Sequence, residues 1–172
     1  RSIDLGVGLI SNIADMQRYG HRLLVRSRRR VWAAASHPLA RQSAVSLDEI
    51  AKCPYILQTV DYADSAAIGH WGANGHALKV AMRTSSLEAL RGLVAYGFGV
   101  SILSDLVYRP WSLEGKKIMA IPIADPVAPM DVGLLWPRQA EPEGLVDTFR
   151  QFLIHACDSE SEAPAASATA RP

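Results

Sequence analysis

The sequence predicts an α/β protein, and three observations carry that expectation. Short apolar runs of strand length alternate with amphipathic helical patterns along most of the chain. Of the 172 residues, 49% are apolar and 20% charged, the balance of a chain that buries a core. Helices written between strands imply crossover connections, and so a largely parallel sheet with helices on its faces.

Residues 3–7 read as the first strand, and residues 23–25 and 31–35 as two more separated by arginine-rich turns. Ser46-Leu-Asp-Glu49 is a capping box opening a short helix, which Pro54 ends because the residue before a proline is pushed out of the helical region. Tyr55-Ile-Leu57 is the next strand. Asp64 opens a helix with Ile68 and Trp71 on one face, closed near Gly75, and residues 78–82 form a strand after it. Ser85-Ser-Leu-Glu88 repeats the capping-box pattern, and Leu87, Leu90, Leu93 and Val94 then fall on one helical stripe until Gly97 breaks it. Strands follow at residues 99–103, 118–123 and 132–136, bounded by turns at Pro126, Pro129 and Pro137. A final helix, about residues 143–156, is expected to bury Leu145, Val146, Phe149, Phe152 and Leu153, which fall at helical spacing. Residues 158–172 hold no aromatic or large aliphatic side chain and are expected to form a disordered tail.

Composition excludes several classes. No apolar run reaches the roughly 20 residues of a membrane helix, so no membrane partner is expected. The opening Arg1-Ser-Ile-Asp-Leu-Gly-Val-Gly lacks the parts of a signal peptide and reads like the interior of a longer chain. Two cysteines, Cys53 and Cys157, make no disulfide framework, which points to a reducing, cytoplasmic compartment. The net charge of +1 conceals six arginines between Arg18 and Arg30 with no acid among them, so the remainder of the chain is net negative. Such a cluster is a nucleic-acid footprint only when a groove-reading motif or stacking aromatics accompany it. Here the arginines alternate with apolar positions, as on strands with one wet face.

Enzyme signatures fail on inspection. Gly97-Phe-Gly99 has Ile102 where a dinucleotide fingerprint needs glycine, and it runs from helix to strand, the reverse of a phosphate cradle. Ser101 lacks the second glycine of a nucleophile elbow. His70 and His76, six apart, do not share a helix face as zinc ligands would. No catalytic residue, metal or cofactor is expected. Cys53 lacks a nearby resolving thiol and reads as packing, as do Trp71 and Trp136 among the four tryptophans spread through the chain.

A binding argument remains. In open α/β sheets, ligands sit beyond the carboxyl ends of strands, where helix N-termini offer free amides and the positive end of the dipole to anions. Three junctions qualify: Leu9-Ile10-Ser11, Gln58-Thr59 and Thr84-Ser85-Ser86. Val100, at the glycine-flanked turn after the helix, is counted with them.

The order of these pieces resembles the effector-binding domain of LysR-type transcriptional regulators. The matching stretches are Ile3-Asp-Leu-Gly-Val7, Ala35-Ser-His-Pro-Leu-Ala40, Val45-Ser-Leu-Asp-Glu-Ile50 with Cys53-Pro-Tyr-Ile56, and above all residues 85–103, whose Val-Ala-Tyr-Gly-Phe-Gly-Val turn is similar to the family's. Val132-Gly-Leu-Leu-Trp-Pro-Arg138 with its following helix resembles the closing unit. The resemblance implies two interleaved Rossmann-like subdomains of the periplasmic-binding-protein type, N-terminally truncated, joined by crossings near Arg30 and Val132. Residues 1–29 with 132–157 would be a partial subdomain I, and residues 30–131 subdomain II, with a small-molecule effector, an organic acid, in the cleft. It implies a homodimer or tetramer, and DNA contact only through an N-terminal helix-turn-helix domain that this sequence does not contain. The alternative on the same bilobed fold is a transporter's solute-binding protein, or an enzyme.

Overall fold

Strand β3 (Arg29–Ala34) shows how the larger part of the molecule is built. Its side chains alternate, and both faces are buried: Val31 and Ala33 join one apolar cluster, Trp32 the other. The computed structural model describes residues 3–10, 13, 15–59, 78–139 and 142–162. The chain divides into two compact units, residues 27–129 and a flanking unit of residues 1–26 with 130–172.

In the 27–129 unit, β3 lies between β6 (Ser101–Ser104) and β7 (Ile118–Ile121), antiparallel to both. Strands β4 (Tyr55–Gln58) and β5 (Val80–Thr84) pair in parallel. Helix α1 (Leu47–Ala51) opens with the expected capping box: the Ser46 hydroxyl accepts from the Glu49 amide, and the Glu49 carboxylate accepts the Ser46 amide at 2.9 Å. Helix α2 (Leu87–Ala95) buries Leu90 and Val94 against Trp32, Ile56 and Ile118. It ends at Gly97, whose φ of +79° only glycine adopts freely; the amides of Gly97 and Phe98 close the last turn on the carbonyls of Val94 and Leu93. Where β3 begins, the buried hydroxyls of Ser27 and Ser104 meet at 2.7 Å, and the Leu106 amide donates to both.

In the flanking unit, β8 (Met130–Pro137) lies between β1 (Gly6–Leu9) and β2 (Tyr19–Ser27), with β1 antiparallel to it. Helix α3 spans Gly144–Glu162, and Leu145, Phe149 and Phe152, expected to be buried on it, are exposed. A Cβ at Gly20 would strike the Trp136 ring at 2.2 Å, so glycine there lets the indole lie on the strand.

The α/β class stands, and four details of the sequence reading change. The sheets are not largely parallel: β3 runs antiparallel to both its neighbours and β1 antiparallel to β8, while β4–β5 is a parallel ladder, so helices written between strands do not by themselves make neighbouring strands parallel. The first strand is Gly6–Leu9, displaced from residues 3–7. Helix α3 continues through residues 158–162, which were expected to belong to a free tail. The second capping box does not form as read, as described below. The helix expected over residues 64–75, with Ile68 and Trp71, lies outside the described residues, as do His70 and His76.

Candidate functional site

The parallel pairing of β4 and β5 brings two of the three expected junctions together. Gln58 stands opposite Thr84, and the Thr59 amide donates to the Thr84 carbonyl at 2.9 Å. Both strands therefore end at one place, with α2 starting immediately beyond. Thr84 is half-buried, and its hydroxyl accepts the Ser86 amide at 3.1 Å. That bond turns the chain so that Ser86, and not Ser85, is the N-cap: its hydroxyl accepts from the Ala89 amide at 3.1 Å and its carbonyl from the Leu90 amide. The Glu88 carboxylate, read from sequence as the reciprocal half of a capping box, instead pairs with Arg91, whose side chain is 5% exposed.

Among the described residues, this leaves the amides of Leu87 and Glu88 outside the cap's hydrogen bonds. Around them stand the exposed Thr59, Ser85 and Ser86. Two donors at the positive pole of a nine-residue helix, with hydroxyls beside them, form an arrangement suited to a carboxylate.

The other expected residues fall elsewhere. Leu9 and Ile10 belong to the flanking unit, where Leu9 pairs with Val132 and Ile10 fills the space above Gly133. Ser11 lies outside the described residues. Val100 is fully buried in the core, and its backbone bonds to Pro54 and Ile56, so its side chain shapes the floor of β4 without reaching solvent. Sequence reasoning missed Arg91, since nothing in an i, i+3 Glu-Arg pair reveals that the arginine is buried over the Trp32 ring, 5.8 Å from its centroid.

Rival sites are weaker. A depression of about 440 Å³ in the flanking unit is lined by Ile3, Asp4, Leu5, Leu145, Val146 and Phe149; its one charged group is a carboxylate, the wrong sign for an anion. Four of the cluster's six arginines are engaged internally: Arg22 pairs with Asp158 at 3.2 Å, Arg26 with Asp131 at 2.8 Å, Arg30 with Asp105 at 3.0 Å, and Arg29 donates to the Ala128 carbonyl. The Cys53 thiol donates to the Glu49 carbonyl, and burial together with nearby Glu49 pushes its pKa up, away from thiolate reactivity. No helix among the described residues is long and apolar enough to cross a membrane.

Residues 1–158 match the family model described as LysR substrate binding domain. The chain belongs to that family. Its LysR relatives include the uncharacterised HTH-type transcriptional regulator YnfL of Escherichia coli K12, 27% identical over 88% of this chain and 51% of YnfL. The fold is that of HinK, a LysR family transcriptional regulator of Pseudomonas aeruginosa (TM-score 0.79, 22% identity, 91% of this chain and 52% of HinK). It is also that of the BenM effector binding domain solved with its effector benzoate (TM-score 0.74, 18% identity, 99% of this chain and 76% of that domain). The LysR chain thus spans about half the length of the curated relatives it matches, and those relatives are transcriptional regulators, which disfavours the transporter alternative.

Proposed function

We propose that this LysR domain senses a small organic acid, whose anionic group is anchored at the junction of Gln58, Thr59, Thr84, Ser85 and Ser86. Val100, buried beneath β4, sets the floor of that junction. Binding shifts the population of domain conformations, and the change passes to a helix-turn-helix domain outside this chain, in a cytoplasmic homodimer or tetramer. The observation that carries the reading is the pair of amides at Leu87 and Glu88, beyond the carboxyl ends of the parallel β4 and β5. Benzoate, the effector of the similarly folded BenM domain, is a carboxylate of this kind.

A thermal-shift screen of organic carboxylates against this domain should yield a stabilising ligand. Its affinity should fall in Thr84→Val and Ser86→Ala by more than the accompanying change in stability. Unchanged affinity in both variants moves the anchor away from this junction.

A further inference from the structure

We propose that Arg91 is a positioning residue for this junction: by holding the Glu88 carboxylate it keeps the first-turn amides of α2 open to an external anion. The inference rests on the reading above and adds the group that stops the chain from occupying its own site.

The same sequence pattern behaves in two ways in this molecule. Ser46-Leu-Asp-Glu49 closes into a full capping box, so α1 supplies an anion to its own N-terminus. Ser85-Ser-Leu-Glu88 has the same residue types at the same spacing, yet its glutamate does not turn back. The difference lies three residues further on. Lys52, three beyond Glu49, is exposed, whereas Arg91, three beyond Glu88, is buried.

A helical side chain leans toward the N-terminus of its own helix, which carries the Arg91 guanidinium over the first turn. It is fixed there from several sides. One terminal nitrogen donates to Glu88, the other to the Val107 carbonyl at 3.0 Å, and the group lies over the Trp32 ring. Its Nε has no hydrogen-bond partner, so Glu88 is the charge that compensates a buried cation. Releasing that carboxylate to cap Ser85 would exchange a charged pair for a single hydrogen bond and strand the guanidinium. The pair therefore persists, and the first-turn carboxylate of Glu88 stays neutralised by Arg91 instead of turning back onto the Ser85 amide.

The test is a double-mutant cycle read on backbone amide shifts of the isotope-labelled domain, with Glu88→Gln, Arg91→Met and their combination. With Arg91 in place, Glu88→Gln should leave the Ser85 amide where it is. In the Arg91→Met background the Ser85 amide should move, as the freed carboxylate takes it, and adding Glu88→Gln should reverse the shift. Benzoate, used as a carboxylate probe on the Leu87 and Glu88 amides, should bind about fivefold more weakly in Arg91→Met and recover in the double variant. A Ser85 amide displaced by Glu88→Gln alone, or indifferent to Arg91→Met, overturns the proposal. The first of these needs only the native arginine, so it decides even when Arg91→Met does not fold. Absence of benzoate shifts in the unaltered domain counts against the junction as an anion site, while the ligand-free Ser85 shifts still decide the role of Arg91.

Discussion

In the 27–129 unit many large apolar side chains are fully buried; in the flanking unit most are half-buried and several are exposed. Trp32, Ile50, Tyr55, Ile56, Leu57, Leu90 and Ile118 are fully or almost fully buried in the first. In the second, Leu134 is the one buried apolar side chain among the described residues, whereas Ile3, Val7, Leu145, Phe149 and Phe152 are each more than half exposed. The 27–129 unit is held by burial, at about 25 cal/mol for each Å² withdrawn from water. The flanking unit relies on its strand ladder, on the exposed pairs Arg26–Asp131 and Arg22–Asp158, and on Arg150 stacked over Trp136. Exposed pairs of that kind contribute about 1 kcal/mol or less. Similar strand-and-helix content thus conceals very different packing, and a ligand site is better founded on the part that packs.

Truncating cores tests this contrast most strongly. Ile56→Ala or Leu90→Ala should cost about 2–5 kcal/mol in urea unfolding, because each leaves a cavity where the sheet meets α2. Phe149→Ala or Leu145→Ala should stay within about 0.5 kcal/mol, since both side chains already face water. A loss of several kcal/mol at Phe149 would break the comparison by revealing a covered face.

A smaller effect separates two adjacent serines. Ser86→Ala should cost about 1 kcal/mol through the lost N-cap, and Ser85→Ala much less, although the sequence pattern favours Ser85. Thermal unfolding of the two variants side by side measures it; equal losses would restore Ser85 as a cap.

The smallest effect belongs to the flanking unit and depends on pH. The hydrogen bond and charge of Arg26 hold the Asp131 carboxyl below its ordinary value of 3.8, so its contribution is present at neutral pH. Because the folded value is the lower one, that contribution fades as pH falls below about 4 and is gone once the folded form is protonated. Asp131→Asn should therefore flatten the acid limb of the stability profile and leave the limb above neutrality unchanged. An acid limb of the same slope in Asp131→Asn assigns it to other carboxylates.

Much of the 27–129 unit was legible because local signals agreed with one another. The stripe of Leu90 and Val94, the stop at Gly97 and the strand beyond it coincide with α2, its glycine-closed end and β6. The Ser46 box was legible for the same reason: no buried side chain competes for Glu49. The Ser85 box was misread because the Thr84 hydroxyl moves the cap to Ser86 and Arg91 holds Glu88, and burial of an arginine over an indole is a tertiary fact that spacing cannot express. Strand direction was illegible too. The apolar run of β3 shows that the strand is buried and is silent on whether its neighbours run parallel or antiparallel. At the candidate site, the residue types at Gln58, Thr59 and Thr84 were readable, while their meeting depended on the register of β4 with β5.

The internal pairing of the arginines has an electrostatic consequence for the behaviour of this domain beside DNA. Attraction between a basic surface and a duplex gains its strength from the salt ions that lysines and arginines liberate when they replace them at the phosphates. Arg22, Arg26 and Arg30 already face carboxylates, so a phosphate must first displace an acid from each. Three of the six arginines that dominate the charge pattern of the sequence are thus paired with acids within the fold. A polyanion would release fewer counterions from these arginines than from six free ones, and its attraction would vary less steeply with salt.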